Sequence, residues 1–394
     1  MNIVFHHRTR GKGAEGAHIR GVVKGLRQLG HTVNILSLPG AEPELSSKKS
    51  KKSDAANSKG IFSYVSELTK YVPEFVFEFF EMAYNIIAWL RIRKYIKNHQ
   101  PDFIYERYSL FMFAVVWWAK RKNLPLILEV NDSCLVQRVR PLAFTGLAKK
   151  IEHWIFKNAT GLVFISSRFQ QVATEAYDII SPSIISPNAA DLDNFIIDNT
   201  KGQLLREKFQ ITDKVVAGYV GVFAKWHGVE WFIDEIVKDL ANHPHLVLLL
   251  VGDGVSYEPI KAKIAAASLE KQIILTGRVP HSEVSAYLSA MDFGILPDSN
   301  DYGSPMKLFE FMAMEKGMVA PDFSPITEVV IDNQTSWLFP ANDHKACIKK
   351  TFEVAINKAE QKTVGKNARS YIEHERQWKH NAQQLLSLIP NKKI

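Results

Sequence analysis

The chain has 394 residues and a formal net charge of +8, from 49 Lys and Arg against 41 Asp and Glu. Its 46% hydrophobic and 23% charged residues exclude a disordered or fibrous chain, and its two cysteines exclude a disulfide scaffold and a cysteine-rich metal site. The length fits two domains or one large one. The basic surplus leaves three kinds of partner open: nucleic acid, an anionic membrane or a phosphorylated small molecule.

The predicted elements begin with a β-α-β unit. Residues 2–5 form a short apolar strand, and a glycine-rich stretch then runs from Arg10 to His18. A helical period continues to Leu29, and Val33–Leu38 is the next strand. A mobile loop is predicted over 41–59, where lysines alternate with serines. These lysines are Lys48, Lys49, Lys51 and Lys52.

The first residues lack the pattern of a secretory signal, and no apolar run is long enough for a spanning helix, so a cytoplasmic protein is expected. Val72–Leu90 comes closest to a span. Its polar residues share one helical face: Glu74, Glu78, Glu81 and Asn85. Basic residues follow: Arg91, Arg93, Lys94 and Lys97. Two interpretations stay open for 72–97: a helix packed on a sheet, or a peripheral contact with a membrane or a lipid-linked substrate.

Two successive sets of alternating strands and helices follow from the rest of the pattern. Further strands are expected at Phe103–Tyr105, Leu126–Val130, Leu162–Ile165, Ile184–Ser186, Val215–Val220, Leu246–Val251, Ile273–Leu275, Phe293–Leu296 and Met318–Ala320. The polar stretch Thr200–Lys214 is interpreted as the domain junction. The pattern indicates two Rossmann-like, doubly wound α/β domains, residues 1–200 and 201–375, with ligands at the carboxyl ends of the strands and in a cleft between the domains.

The most informative stretch is Asp301–Ala313, which reads Asp-Tyr-Gly-Ser-Pro-Met-Lys-Leu-Phe-Glu-Phe-Met-Ala. Ser304 can be a helix N-cap, with Pro305 at the first helical position. Lys307 in the first turn suits a phosphate or diphosphate at the helix N-terminus, and Glu310 can accept hydrogen bonds from hydroxyl groups. The competing interpretation is a solvated Lys/Glu pair on the helix surface.

This stretch resembles the nucleotide-sugar signature of glycosyltransferase family 4, which comprises retaining enzymes of GT-B fold. Seven further segments resemble that family in the same order along the chain. They are Gly13–His18 with Gly30–Val33, Phe164–Ser167, Pro187–Phe195, Gly221–Gly228, Gly252–Gly254, Gly277–His281 and Pro325–Glu328. Together the eight segments cover nearly the whole chain. The resemblance also implies that a C-terminal helix over Trp378–Leu388 returns to the first domain, so that 376–394 completes it.

The resemblance implies a role for each matching residue. Glu310 would bind the ribose, and Lys307 with the backbone of Gly303 and Ser304 would hold the diphosphate. The other implied donor contacts are Gly16 at the phosphates, Gly252 in the second loop, and Arg278 and Val279 beside the base. For His18, a capping or packing role and a contact with sugar or acceptor both stay open. Lys307, Glu310 and His18 are the catalytic candidates.

Three positions depart from the family pattern. Tyr302 stands where a second glutamate is usual, which puts the usual contact to the donor sugar in doubt. Val222 and His227 replace a usual arginine and lysine, so Lys307, Lys225 and His227 are expected to share the diphosphate charge. Asn131 replaces a histidine found in many members. An asparagine cannot be a general base, which suits the front-face displacement that the resemblance implies.

The expected activity is transfer of a sugar from a nucleotide-diphosphate sugar, UDP-linked rather than GDP-linked, to a glycan or lipid-linked glycan in surface polysaccharide assembly at the inner membrane face. No cofactor or metal is expected, because no metal-ligand spacing occurs and a helix dipole with cations can stabilise the leaving diphosphate. A nucleotide-sugar epimerase of the same fold and a non-catalytic nucleotide-sugar-binding subunit remain alternatives. Nucleic acid is not expected, because the lysines concentrate in a serine-rich loop.

Overall fold

The structure, a computed structural model, describes residues 1–390 except 10, 12, 39–40, 42, 45–72 and 139. The chain divides into two units, Met1–Ser186 with Lys379–Ile394, and Pro187–Trp378. The predicted loop 41–59 and its four lysines lie almost entirely outside the described residues.

The first unit is built on a parallel sheet of six strands. Its strands are β1 (Asn2–His6), β2 (Thr32–Leu36), β3 (Phe103–Arg107), β4 (Leu126–Val130), β5 (Gly161–Phe164) and β6 (Ser183–Ile185). Its helices are α1 (Gly13–Gln28), α2 (Glu74–His99), α3 (Ala114–Arg121), α4 (Thr145–Asn158) and α5 (Ser167–Ala176). The strand order is β2-β1-β3-β4-β5-β6, which is doubly wound because the chain proceeds outward from β1 in both directions.

The second unit repeats this architecture. Its strands are β7 (Val215–Val220), β8 (Leu246–Val251), β9 (Ile273–Gly277), β10 (Phe293–Ile295), β11 (Met318–Pro321) and β12 (Trp337–Phe339). Its helices are α6 (Asn199–Lys208), α7 (Val229–Ile236), α8 (Tyr257–Ala266), α9 (Val284–Ser289), α10 (Met306–Ala313), α11 (Ser324–Thr327), α12 (His344–Ile356) and α13 (Lys358–Glu375). The order is β12-β11-β10-β7-β8-β9, and apolar clusters fill both faces of this sheet.

The predicted fold class, two doubly wound α/β domains, is confirmed. The C-terminal helix α14 (Trp378–Leu386) belongs to the first unit from Lys379 onward, as predicted. The side-chain amide oxygen of Gln384 on this helix accepts a hydrogen bond from the hydroxyl of Ser186, just after β6, at 2.8 Å. This bond joins residues nearly two hundred positions apart within the first sheet's unit.

Two predicted boundaries differ from the structure. The stretch Thr200–Lys214 is mostly helix α6 rather than a junction, and Arg206 ties it to the second unit by a hydrogen bond to the carbonyl of Ala290 at 2.9 Å. The units therefore divide after Ser186 rather than after residue 200. The glycine-rich stretch is also shorter than predicted, because α1 begins at Gly13 and contains both Gly16 and His18.

Helix α2 buries its polar face and exposes its apolar face, which is the reverse of an ordinary amphipathic helix. Its buried residues include Glu78, Glu81 and Asn85, whereas Phe79 and Phe80 are exposed. Among the helices that the structure describes, none is both long enough and apolar enough to cross a bilayer.

Candidate functional site

The carboxyl ends of β7 and β10 mark the switch point of the second sheet. These strands are neighbours, but the chain leaves β7 toward β8 on one side and leaves β10 toward β11 on the other. Loops diverge at such a point and leave a crevice where ligands bind. Gly221 directly follows β7, and α10 follows the loop after β10.

Helix α10 begins one residue later than predicted. Pro305, not Ser304, occupies the N-cap position, and the cap has no side-chain hydrogen bond. The Ser304 hydroxyl instead accepts a hydrogen bond from the backbone N–H of Asn188 at 2.9 Å, and its carbonyl accepts one from the Asn188 side chain at 2.6 Å. Ser304 therefore anchors the loop to the 187–195 segment, while the backbone N–H groups of the first helical turn have no side-chain cap.

Lys307 in the first turn of α10 is buried, with 8% of its surface exposed. Its Nζ donates a hydrogen bond to the hydroxyl of Tyr219 at 3.1 Å, lies 4.6 Å from the centre of that ring, and approaches Nδ1 of His227 to 3.3 Å. Burial lowers the pKa of Lys307 to about 7, against the opposing effect of Glu310. The interpretation as a solvated surface pair is therefore wrong.

Glu310 lies one turn after Lys307 on the same helix and is half-buried. Burial raises the pKa of its carboxyl to about 7, although Lys307 acts in the opposite direction. Within the described part of the chain, no hydrogen bond reaches this carboxylate. The two groups thus lie near half-titration around neutral pH, so the charge of a ligand would decide their protonation.

His227 and Lys225 lie on the short 3₁₀ turn after β7. Burial and the neighbouring Lys307 lower the pKa of His227 to about 3, so this imidazole is neutral. It therefore supplies a hydrogen-bonding group and not the positive charge expected from the sequence. Lys225 is exposed at the start of the turn.

Two glycines allow the loops of this crevice to pack closely. Gly221 has φ +148° and Gly252 has φ +141°, both in the region that favours glycine. A Cβ on Gly221 would lie 3.2 Å from Cε of Lys307, and one on Gly252 would overlap the carbonyl oxygen of Gly221. Because Gly221 lacks a side chain, the lysine can lie directly against the end of β7.

The remaining predicted donor residues lie in loops of the same unit. Arg278 is exposed and pairs with Asp253 at 3.0 Å, which links the loops after β8 and β9. Val279 is half-buried against the core, and the backbone N–H of Gly303 donates to the Asn300 side chain at 2.5 Å. Their contacts with a nucleotide stay predictions.

The first unit carries a different arrangement at the end of its sheet. His18 on α1 is buried, and its Nε2 pairs with Oε1 of Glu129 on β4. Glu129 also accepts hydrogen bonds from the Tyr105 hydroxyl at 3.0 Å and from Arg107 at 3.3 Å. Burial alone would raise the pKa of Glu129, but His18, Arg107 and Tyr105 outweigh it and lower the pKa to about 2.

The neighbouring residues of α1 agree with a packed role for this part of the first unit. Gly16 is buried against the backbone carbonyl of Gly11, where a Cβ would overlap it. His18 is buried and paired with Glu129, which agrees with the packing role that was one of its two interpretations. Contacts of Gly16 with phosphates and of His18 with sugar or acceptor stay predictions.

Sequence reasoning missed Tyr219, Glu129 and Asn188. Tyr219 and Glu129 each place a polar group inside an otherwise apolar buried strand, which signals a paired side chain. Asn188 lies in a segment that resembles the family, but its partner Ser304 is 116 positions away.

No group of three His, Cys, Asp or Glu residues in the described ranges could hold a metal ion. Independence from metal stays a prediction.

Two family models match the chain. Residues 16–194 match the model described as Glycosyltransferase Family 4, and residues 214–356 match the model described as Glycosyl transferases group 1. The two matches together cover most of both units.

Curated proteins and solved structures agree with these models. The chain is 29% identical over 241 residues to an uncharacterized glycosyltransferase of Methanocaldococcus jannaschii, covering 60% of this chain and 59% of that protein. It is 30% identical over 131 residues to the amylovoran biosynthesis glycosyltransferase AmsK of Erwinia amylovora, covering 32% of each. The matched part of the chain thus spans less than two thirds of the length of each of these relatives.

A solved structure is similar over the whole chain. HepE of Anabaena, crystallised in complex with UDP, has a TM-score of 0.73 and 16% identity, with 98% of this chain and 99% of that chain covered. At this identity the similarity shows the fold, which is the GT-B architecture. From the family models, the relatives and the fold together, the chain belongs to glycosyltransferase family 4.

Proposed function

We propose that this protein is a retaining glycosyltransferase that uses a UDP-sugar as donor and a glycan or lipid-linked glycan as acceptor. The observation that carries the proposal is Lys307, buried beside Gly221 at the switch point of the second sheet, with Glu310 one turn further along the same helix. A retaining outcome is supported by membership of the family. UDP is favoured because HepE, the structural neighbour, was solved with UDP and with UDP-glucose.

A diphosphate in this crevice would change the state of Lys307. Its pKa of about 7 reflects burial without a strong anion beside it, so an approaching diphosphate would raise that pKa and fix the lysine as a cation. The uncapped N–H groups of α10 would add hydrogen bonds from the same side. Both interactions strengthen as negative charge develops on the leaving group, which is how such a site lowers a barrier.

The rest of the proposed reaction follows from the family. Glu310, once ionised, would accept hydrogen bonds from ribose hydroxyls. The departing diphosphate oxygen would help to take the acceptor proton, so no general base is required of Asn131. No metal is required in this scheme, because Lys307 and the helix N-terminus carry the diphosphate charge. Gly16, Lys225, His227, Gly252, Arg278, Val279, Gly303 and Ser304 complete the proposed donor contacts.

The biological setting is proposed from the relatives. AmsK is named for amylovoran biosynthesis, which supports a role in surface polysaccharide assembly. A cytoplasmic location at the inner face of the membrane, with peripheral contact through 72–97, is part of the same proposal.

A thermal-shift panel of UDP, GDP and their sugars tests the donor site. A ligand at about a hundred times its Kd adds about 2.7 kcal/mol to the free energy of unfolding, so UDP and UDP-sugars should raise the melting temperature clearly. Glu310→Ala should abolish that shift, whereas the exposed control Glu353→Ala should keep it. A shift with GDP alone would contradict the UDP preference, and no shift with any nucleotide would contradict the donor site.

Product analysis tests the reaction. With acceptor present, the transferred sugar should keep the anomeric configuration of the donor, as read by NMR. An inverted product would contradict the retaining assignment. A new epimer of the donor formed without acceptor would support the epimerase alternative instead.

A further inference from the structure

Helix α2 of the first unit exposes its apolar residues and buries its polar ones. Its exposed large side chains include Phe75, Phe79, Phe80, Ile86, Ile87 and Leu90. Phe79 and Phe80 are 63% and 61% exposed. The apolar stretch extends for about 22 Å along the helix at 1.5 Å per residue. A patch of this length facing water opposes the hydrophobic effect.

Hydrogen bonds fix the helix in this orientation. The Glu78 carboxylate accepts from the backbone N–H groups of Ala143 and Phe144 at 2.6 and 2.9 Å, where α4 begins. Asn85 donates to the carbonyl of Phe111 at 2.7 Å and accepts from the backbone N–H of Ala114 at 2.9 Å. Turning the apolar face inward would break all four bonds and leave buried polar groups without partners.

Helix α4 extends the apolar face. Phe144 and Leu147 at its start form a groove of about 360 Å³ with residues of α2, and every side chain that lines it is apolar. The residues from α2 are Phe75, Val76, Phe79 and Met82. We call these groove residues together with Phe80, Ile86, Ile87 and Leu90 the α2–α4 surface.

The charges around this surface have one sign. Lys94 and Lys97 continue the outward stripe of α2 one and two turns beyond Leu90, and Lys149 and Lys150 follow Leu147 on α4. All four lysines are exposed. The carboxylates of both helices are turned away or paired: Glu78, Glu81 and Glu152 are buried, and Glu74 pairs with Arg140 at 2.7 Å. An apolar face bordered by lysines is the pattern of a surface that enters the headgroup region of an anionic bilayer.

We propose that the α2–α4 surface docks on an anionic membrane, with Phe79 and Phe80 inserted and the lysines at the phosphate level. The charge argument favours this occupant over a second copy of the chain, because two such surfaces would bring like charges together. The inference extends the proposed function, from which the lipid-linked acceptor comes, but the docking itself requires no donor.

Flotation with vesicles tests the surface. The full chain should float with vesicles that contain phosphatidylglycerol and should float much less with pure phosphatidylcholine. Phe79→Glu/Phe80→Glu should reduce binding by about tenfold or more, because it removes apolar area and adds negative charge. Ile331→Glu/Ile356→Glu is the matched control, since these residues are 57% and 71% exposed in the second unit. The control should float like the wild type.

Other outcomes separate the possibilities. Lys94→Gln/Lys97→Gln should weaken flotation and its dependence on phosphatidylglycerol, and added salt should weaken it further. Failure of the wild type to float, or equal flotation of all variants, would overturn the proposal. A concentration-dependent dimer that Phe79→Glu/Phe80→Glu abolishes, without flotation, would assign the surface to self-association instead. A donor-induced thermal shift without flotation contradicts only this inference, and flotation without a shift contradicts only the donor site.

Discussion

Glu129 is buried and Glu310 is half-buried, each near the end of a parallel sheet, yet their pKa values shift in opposite directions. In the first unit, His18, Arg107 and Tyr105 surround Glu129 and hold its pKa at about 2. In the second unit, Lys307 alone opposes the effect of burial on Glu310, and burial raises the pKa of this carboxyl to about 7.

The difference shows whether each site already contains the partners that its carboxylate needs. The protein itself supplies every partner that Glu129 needs, so that cluster is complete without a ligand. The crevice of the second unit holds a cation and a carboxylate that are both expensive to ionise where they lie. A bound diphosphate and ribose would supply the missing partners, which is why the donor belongs there.

Removing the cation of the second unit should have the largest effect. Lys307→Met should reduce sugar transfer by about 10²–10³-fold, because the leaving diphosphate loses its charge partner. Lys349→Met, at an exposed lysine, is the control and should leave transfer unchanged. Initial rates with a UDP-sugar measure the effect. A rate within a factor of two of the wild type would place the diphosphate elsewhere.

Removing the carboxylate of the first unit should affect stability instead. Glu129→Gln should lower the free energy of unfolding by about 3 kcal/mol near neutral pH, because it leaves His18 and Arg107 without their buried partner. The folded pKa is lowered from 4.5 to about 2, so the stabilisation is full above pH 4.5 and is lost as pH falls through 2.

Urea denaturation at several pH values measures this loss. The difference between wild type and Glu129→Gln should narrow as the medium becomes more acidic. Glu353→Gln, an exposed partner of Lys350, should change stability by less than about 0.5 kcal/mol. A difference that is constant with pH would contradict the ionised state of Glu129.

Filling the space beside Lys307 should have an intermediate effect. Gly221→Ala introduces a Cβ 3.2 Å from Cε of Lys307 at φ +148°. Such backbone strain costs about 1–3 kcal/mol, and displacement of the lysine should weaken donor binding. Thermal melting and UDP affinity measure the two effects. A variant with both values unchanged would show that the lysine does not depend on this glycine.

The pH dependence of kcat/KM should be bell-shaped with its maximum near pH 7. Below the maximum, Glu310 becomes protonated and loses its ability to accept ribose hydrogen bonds, and above it Lys307 loses its charge. Each limb should approach a tenfold change per pH unit. Glu310→Gln should lower the maximum and remove the acidic limb. A profile that is flat from about pH 5 to 9 would contradict both shifted pKa values.

Removing Arg278, which forms an exposed ion pair with Asp253, should have the smallest effect on stability and activity. Arg278→Ala should change stability by less than about 1 kcal/mol, because Arg278 and Asp253 are solvent-exposed. If Arg278 lies beside the base as the family implies, UDP affinity should fall a few fold while kcat is unchanged. Titration calorimetry measures this. A loss of kcat at saturating donor would instead assign the arginine to the reacting end of the donor.

The sequence by itself determined where most elements lie and which family they form. Strands such as Leu126–Val130, Val215–Val220 and Leu246–Val251 have the predicted bounds, because short, mostly apolar runs are typical of strands buried on both faces of a parallel sheet. The edge strand Trp337–Phe339 was missed because three residues give too short a pattern.

Tertiary structure decided which side chains become partners and which way a helix faces. The helical period predicted that the glutamates of α2 share one face. Hydrogen bonds from the backbone N–H groups of Ala143 and Phe144 to Glu78 hold that face toward the interior of the first unit. The spacing of Lys307 and Glu310 was visible in the sequence, whereas the lowered pKa of Lys307 comes from burial beside Tyr219 and His227, which lie 88 and 80 positions away. Local patterns predict secondary structure because the spacing of apolar side chains can be read along the chain. Desolvation cannot be read in this way, since it depends on everything packed around a group.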